Sequence, residues 1–363
     1  YLLIKGGVIN VSTTGEKGNA LKSEKYTTIN SSDAVTLTTS GRGAKGIKTG
    51  SNLTVTNGNI TITNSGTAYY DATSLDIVSP AGINCDSVFT YTAGTLNITS
   101  SGSGGKGISV DGTSFFNGGT VNITTTGTTY TYNSSNSTDP KAIKSDGVLT
   151  VNSGTINIAS ADDGLKSDAG VIVNGGSITV SKSYEGIEAP AITFNNGNVN
   201  IAATNDGVNC TMGTVSGGTE QNDGSLLTIA GGTIITSASS GDAVDCNGNA
   251  VMTGGTLVAQ GPPSSPELAL DYNGTFSISG GLLIASGPNS GNMIQGTSTS
   301  SAQYAMLVKM NSAVSAGTLI NVQDAAGNSL VTYAPARTAY YFLFSSAALA
   351  SGASYKVYTG GST

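Results

Sequence analysis

The stretch AKGIKTGSNLTVTNGNITIT, Ala44 to Thr63, returns further along the chain as PKAIKSDGVLTVNSGTINIA, Pro140 to Ala159. Both copies run through the same phrases: an apolar residue set among small ones, a short alternating segment closed by Asn, and a second alternating segment, NITIT or TINIA. Alternation with period two puts apolar side chains on one face of a strand and Thr or Asn on the other. The repeated unit is therefore built from strands.

Aligning the apolar residue of each Gly-Ile-type step gives Leu21, Ile47, Ile83, Ile108, Ile143, Leu165, Ile187, Val208, Val244 and Leu270, with gaps of 26, 36, 25, 35, 22, 22, 21, 36 and 26 residues. The base period is about 22, lengthened by insertions such as Asn64 to Ser74, Thr126 to Asp139 and Met212 to Ser225. Three short strands and three turns in such a period describe one coil of a stacked β solenoid, since a single coil cannot bury its own apolar face. The expected fold is all-β: a right-handed parallel β-helix over residues 1–300, its hand following the usual crossover rule. Coils stacked at ~4.8 Å would set Ile on Ile inside and Thr or Asn on like residues outside. From about Gln303 the period is lost, and YAMLVKM, YYFLF and SYKVYTGG predict a small C-terminal β cap over residues 301–363.

Composition agrees with this reading and removes several chemistries. Gly numbers 51, only 10% of residues are charged, and His is absent. Without His there is no Ser–His–Asp triad, no imidazole acid–base catalysis and no His-containing zinc site. The formal charge is −7, from 22 acidic and 15 basic residues, so no basic face is on offer to nucleic acid. No apolar run approaches the ~20 residues of a membrane-spanning helix, and membrane insertion is not expected. The sequence opens on Tyr1 inside LLIKGGVINV, which reads as the second half of a repeat; a processed, exported chain is the expectation.

The repeat sorts charge into columns. Just after each marker stand Lys48, Asn84, Ser109, Lys144, Lys166, Glu188, Asn209, Asp245 and Asp271; two residues before it stand Lys45, Ala81, Lys106, Lys141, Asp163, Glu185, Asp206, Asp242 and Leu268. Lysines fill the earlier coils and acids the later ones. Like charges stacked a strand apart repel, so Asp162, Asp163, Glu185, Glu188, Asp206, Asn209, Asp242, Asp245 and Asp271 call for compensation. Ca²⁺ is one answer, since it accepts six to eight oxygens in irregular geometry. A solvated acidic face partly paired with Lys166 and Lys182 is the other.

Lys141, Lys144 and Lys166 are placed to meet an acidic polymer. Tyr130, Tyr132 and Tyr184, with Tyr69 and Tyr70, lie in or beside insertions, where rings either stack on sugars or pack their own loops down. Cys85, Cys210 and Cys246 each follow a marker by two residues and share an inward column with Thr49, Val110, Ser145, Ser167 and Ala189. They read as small packing residues, with a Cys210–Cys246 disulfide as the alternative.

The succession GAKGIKTG, GKGISVDG, DDGLKSDAGVIVNGGSITV and YEGIEAPAITFNNGNVNI, followed by AGTLINVQDAAGNSLVTYAPA and YKVYTGGS, resembles a family of secreted bacterial carbohydrate-binding domain-containing proteins. The resemblance implies a parallel β-helix shaped like a pectate lyase, bound Ca²⁺, and affinity for acidic cell-wall polysaccharide such as polygalacturonate, without cleavage. The steps DDGLKS, YEGIEA, NDGVNC and GDAVDC match the family's acidic pattern, which carries Ca²⁺ onto Asp163, Glu185, Asp206 and Asp242. The expected function is thus a non-catalytic, calcium-dependent, extracellular or cell-surface polysaccharide-binding protein. Two alternatives stand beside it: an adhesin or fibre-forming subunit that stacks head to tail through an open N-terminal coil, and a Ca²⁺-assisted pectate lyase with Lys166 as base.

Overall fold

The computed structural model describes residues 1–214 and 220–361. These fall into two compact units, Tyr1–Ile192 and Thr193–Thr363. Regular structure is almost entirely strand; the described residues contain one short 3₁₀ turn, Gly291–Met293, and no α-helix.

In the first unit the strands Leu21–Ser23, Lys45–Thr49, Ala81–Cys85, Lys106–Val110, Ile143–Ser145, Leu165–Ser167 and Ile187–Ala189 pair parallel, each with the next. The residues that the repeat aligns are the Cα partners: Leu21 with Ile47, Ile47 with Ile83, Ile83 with Ile108, Ile108 with Ile143, Ile143 with Leu165 and Leu165 with Ile187. A second parallel ladder joins Phe89–Tyr91, Ser114–Phe116, Leu149–Val151 and Val171–Val173. A third joins Thr95–Ser100, Thr120–Thr125, Thr155–Ala159 and Ser177–Lys182. From Ala81 on, the chain visits the three ladders in turn, whereas in the two repeats before it Thr27–Thr39 and Leu53–Asn64 each run through the second and third ladders as one strand.

Alternation explains what each ladder buries. Ile47, Ile83, Ile108, Ile143, Leu165 and Ile187 are fully buried, as are Leu96, Val121, Ile156 and Ile178. Burying a side chain of this size contributes ~1.5–3 kcal/mol. The opposite face carries amide ladders: Asn122 Nδ2 donates to Asn97 Oδ1 and Asn157 Nδ2 to Asn122 Oδ1, both at 2.8 Å. An amide carries both donor and acceptor, so it can stack on itself without repulsion.

The insertions form hairpins, Tyr69–Asp71 with Asp76–Val78 and Tyr130–Asn133 with Asn136–Thr138. Within the third insertion, Met212 to Ser225, residues 215–219 lie outside the described residues. The cysteines are buried thiols, with no disulfide between them. Cys85 Sγ donates to the Ser51 carbonyl at 3.0 Å, and Cys210 is the register partner of Cys246.

In the second unit Val208–Cys210, Val244–Cys246 and Leu270–Tyr272 repeat the marker ladder, with Val208, Val244 and Leu270 in register. Parallel pairing runs on to Leu282–Gly287, which then takes the antiparallel strand Ala339–Ser345, itself paired with Ala305–Val314. Ile320–Gln323, Ser329–Tyr333 and Lys356–Thr359 make a separate antiparallel sheet. Ile284, Val314, Ile320, Val322, Phe342 and Phe344 close a common core there.

The Gly before the marker is a packing requirement. A Cβ on Gly107 would lie 2.4 Å from the Ala142 carbonyl oxygen and 2.5 Å from Ile123 Cγ2. Gly107→Ala is expected to lower stability by ~1–3 kcal/mol, the usual cost of overpacking. Ala142, at the same step of the next coil, already carries a Cβ, so Ala142→Gly should cost under ~1 kcal/mol. Urea midpoints of the two variants check this; equal losses would contradict the assignment of the close contact to Gly107.

Candidate functional site

The marker strands hold the charged columns in fixed register, so each charge meets the one in the next coil. In the first unit Lys144 partners Lys166, and Lys166 partners Glu188. One carboxylate oxygen from each of Asp163, Glu185 and Glu188 lies within 4.8 Å of the others, and Asp163 is 2% exposed. Lysines reach into this cluster. Lys141 Nζ donates to Asp162 Oδ2 at 2.6 Å and also to Asp163, while Lys166 Nζ donates to Glu188. Burial pushes the Asp163 carboxyl up, against the pull of Lys141. Burial acts the same way on Glu188, but its bond from Lys166 holds it below the usual carboxylate value.

The second unit builds an acidic cluster with no such cation. Asp242, Asp245 and Asp271 each bring one carboxylate oxygen within 4.8 Å of the others. Asp245 sits in register between Asn209 and Asp271. Among the described residues none of the three carboxylates forms an ion pair. Burial first, and then the charges of neighbouring carboxylates, pushes Asp242 up to about 8 and Asp245 up to about 9. Asp271 is raised by burial and by Glu220.

What hydrogen bonds the cluster accepts come from nearby amides. The Leu268 N–H donates to Asp242, and Gln295 Nε2 donates to Asp271 Oδ1 at 2.8 Å. Asp206 accepts from the Asp242 N–H at 2.7 Å.

Beside these acids, Asn209 is 8% exposed, and its Oδ1 is buried with no hydrogen-bond donor among the described residues. A buried acceptor left unmet costs ~1–3 kcal/mol, so it calls for a partner. Carboxylate oxygens joined by an amide oxygen make a hard, all-oxygen donor set that suits a divalent cation of the Ca²⁺ type and not a thiophilic metal. The residues fit such an ion at Asn209, Asp242, Asp245 and Asp271. At Asp163, Glu185 and Glu188 the ammonium groups of Lys141 and Lys166 already supply positive charge.

The candidate saccharide contacts divide. Lys141, Lys144 and Lys166 are all ion-paired, Lys144 with Asp146 and, at 3.0 Å, Asp168. Tyr132 stacks on Tyr70 with centroids 3.9 Å apart and planes 2° from parallel, and Tyr130 Oη accepts the Tyr70 N–H at 3.1 Å. These rings fasten one insertion hairpin to the other. Tyr132 nevertheless stays exposed, and Tyr184 is exposed as well.

Two residues of the lysine column had no role in the sequence reading. Lys45 and Lys106 have no carboxylate partner among the described residues, whereas Lys48, Lys141, Lys144 and Lys166 each have one. The signal was Ala81, the one small residue among the lysines of that column.

Fold and site together define an all-β repeat protein whose marker strands carry ordered columns of charge. A family model described as carbohydrate-binding domain-containing protein matches residues 93–186, 94 of the 363 residues. The matched span includes Lys106, Tyr130, Tyr132, Lys141, Asp163, Lys166, Tyr184 and Glu185, and it supports a carbohydrate-binding family for that part of the chain. No curated protein and no solved structure matches. No helix among the described residues is long and apolar enough to cross a membrane.

The raised carboxyls fix a direction of pH dependence. Folded Asp242 and Asp245 hold protons up to about 8 and about 9, above their value of 3.8 in the unfolded chain. Their contribution is therefore fully present below pH ~4 and lost as pH rises through ~8–9. Thermal melts of chelator-treated protein should show a falling midpoint from pH 5 to pH 9, and Asp245→Asn should flatten the fall. A profile indifferent to Asp245→Asn would contradict it.

Proposed function

We propose that this protein is a non-catalytic, extracellular polysaccharide-binding protein, built as a right-handed parallel β-helix, that uses Ca²⁺ to bind acidic cell-wall glycans such as polygalacturonate. The observation that carries the reading is the carbohydrate-binding family match over residues 93–186. The second support is chemical. Asp242, Asp245 and Asp271 gather carboxylates that meet no cation among the described residues, and Asn209 adds a buried oxygen with no donor among them.

These residues would hold the ion, with Asp206 bracing Asp242 through its backbone N–H. Bound there, Ca²⁺ supplies positive charge through which protein and uronate carboxylates are joined. The chain's own part is to hold Asp245 in register between Asn209 and Asp271, so that their oxygens converge beside Asp242.

Catalysis has weaker support in the same geometry. The Lys166 ammonium is held by Glu188, and an ion-paired ammonium has no lone pair with which to take a proton. Arg337 donates to the Ala238 carbonyl and Arg42 pairs with Glu16, so both arginines are engaged in structural contacts.

Co-sedimentation with insoluble polygalacturonate, with Ca²⁺ and then with chelator, tests the proposal while the supernatant is followed for unsaturated uronide absorbance. Retention that needs Ca²⁺, falls at least ~10-fold in the Asp242→Asn/Asp245→Asn variant and releases no product is the expected result. Rising absorbance would make the protein a lyase. No retention, with filaments under negative stain, would transfer the assignment to a head-to-tail structural subunit.

A further inference from the structure

Lys45 and Lys106 are both register partners of Ala81, one on each side of it. Neighbouring strands lie ~4.8 Å apart, so the two lysine backbones stand about 10 Å apart with only a methyl group between them. A pocket of about 310 Å³ opens at this gap, lined by both lysines, by Asn84 and Ser109, and by the exposed Asp76 and Asp111. That volume lies at the lower end of small-ligand sites, ~300–1,000 Å³. The hairpin strand Asp76–Val78 forms one wall.

The lysines are poorly compensated where they stand. Lys106 is 8% exposed, and its Nζ donates only to hydroxyls, Ser79 Oγ at 3.2 Å and Thr138 Oγ1 at 2.5 Å. Lys45 Nζ donates to the Gly43 carbonyl at 3.0 Å. Neither forms an ion pair among the described residues, while the surrounding lysines do: Lys17 with Asp71, Lys48 with Asp86, Lys141 with Asp162 and Asp163, Lys144 with Asp146 and Asp168. Burial, followed by the charges of neighbouring lysines, pushes both ammonium groups down to about 8. A buried charge without a counter-ion is costly, and an anion delivered into the pocket would remove that cost.

We propose that the pocket between Lys45 and Lys106 is a subsite that seats the carboxylate of one uronate residue of a bound polysaccharide. The proposal rests on the acidic-polysaccharide reading and names a contact independent of any cation. Two lysines in one lining offer a carboxylate donors for charge-assisted hydrogen bonds. Asn84 and Ser109 offer neutral partners to the sugar ring, and the exposed carboxylates of Asp76 and Asp111 accept from its hydroxyls. A sulfate ion has no hydroxyls to give to those carboxylates, and a neutral sugar leaves the lysines unpaired.

The test is calorimetric titration of trigalacturonate, its methyl ester and sulfate into wild type, Lys45→Ala and Lys106→Met, with Ca²⁺ present throughout. Ser79 Oγ and Thr138 Oγ1 already lie 3.0 Å apart, so Lys106→Met leaves them bonded to each other. This variant should melt at or above the wild-type temperature, because it removes a buried unpaired charge. Expected are a loss of at least ~10-fold in trigalacturonate affinity in each variant, equally weak binding of the ester by wild type, and unchanged Ca²⁺ stabilisation. Variants that bind trigalacturonate like wild type would overturn the subsite, as would sulfate binding that matches it and is lost in the same variants. Polymer retention that survives such a result leaves the polysaccharide reading standing; wild type that retains no polymer brings both down.

Discussion

Within each unit, the backbone groups of a marker strand find their partners in the strands before and after it, and this governs everything else. Parallel, in-register pairing places each side chain on its counterpart one strand spacing away, with no freedom to slip, because a one-residue shift would turn the apolar face outward. For Ile on Ile or Asn on Asn the arrangement is favourable. For charge it is a difficulty that each column must resolve. Lys144 beside Lys166 is eased by acids in the adjoining turns, Asp146 and Asp168, and Lys166 beside Glu188 pairs directly. Asp245 beside Asp271 finds no such cation among the described residues.

The two acidic clusters therefore differ in chemistry although the repeat writes them alike. Around Asp163, Glu185 and Glu188 the protein supplies its own positive charge through Lys141 and Lys166. Around Asp242, Asp245 and Asp271 the carboxyls are driven toward their protonated forms, and Asn209 Oδ1 stays unmet. Lys45 and Lys106 present the opposite imbalance, a half-buried and a buried ammonium group with no carboxylate partner among the described residues. Unresolved charge of either sign marks the places where a ligand would change the energy of the folded protein most.

The repeat made register legible because marker residues survive every insertion: aligning Ile47, Ile83, Ile108 and Ile143 gives their pairing directly. The buried cysteine column followed from the same alignment. What the repeat could not reveal were contacts made outside it. Tyr70 and Tyr132 stack from separate insertions that share no period, so their ring contact has no trace in the pattern. The partners of Lys48 and Lys144, Asp86 and Asp146, lie in turns off the aligned columns. For that reason Lys144, which looked available to a polymer, turns out to be engaged, whereas Lys141 and Lys166 pair with Asp163 and Glu188, acids that the columns themselves name. Conversely, the pocket at Ala81 is a missing side chain, and an absence stands out only once its two neighbours are known to flank it.

Register leaves Asp245 and Asp271, with Asp242 beside them, as carboxylates that no cation among the described residues neutralises. Whether a divalent cation fills that place is read from anomalous diffraction at long wavelength by crystals grown in Ca²⁺. An anomalous peak is expected within coordinating reach of those three carboxylates and of Asn209 Oδ1. A map with no peak there, and with Asn209 Oδ1 satisfied by an ordinary hydrogen-bond donor, would contradict it.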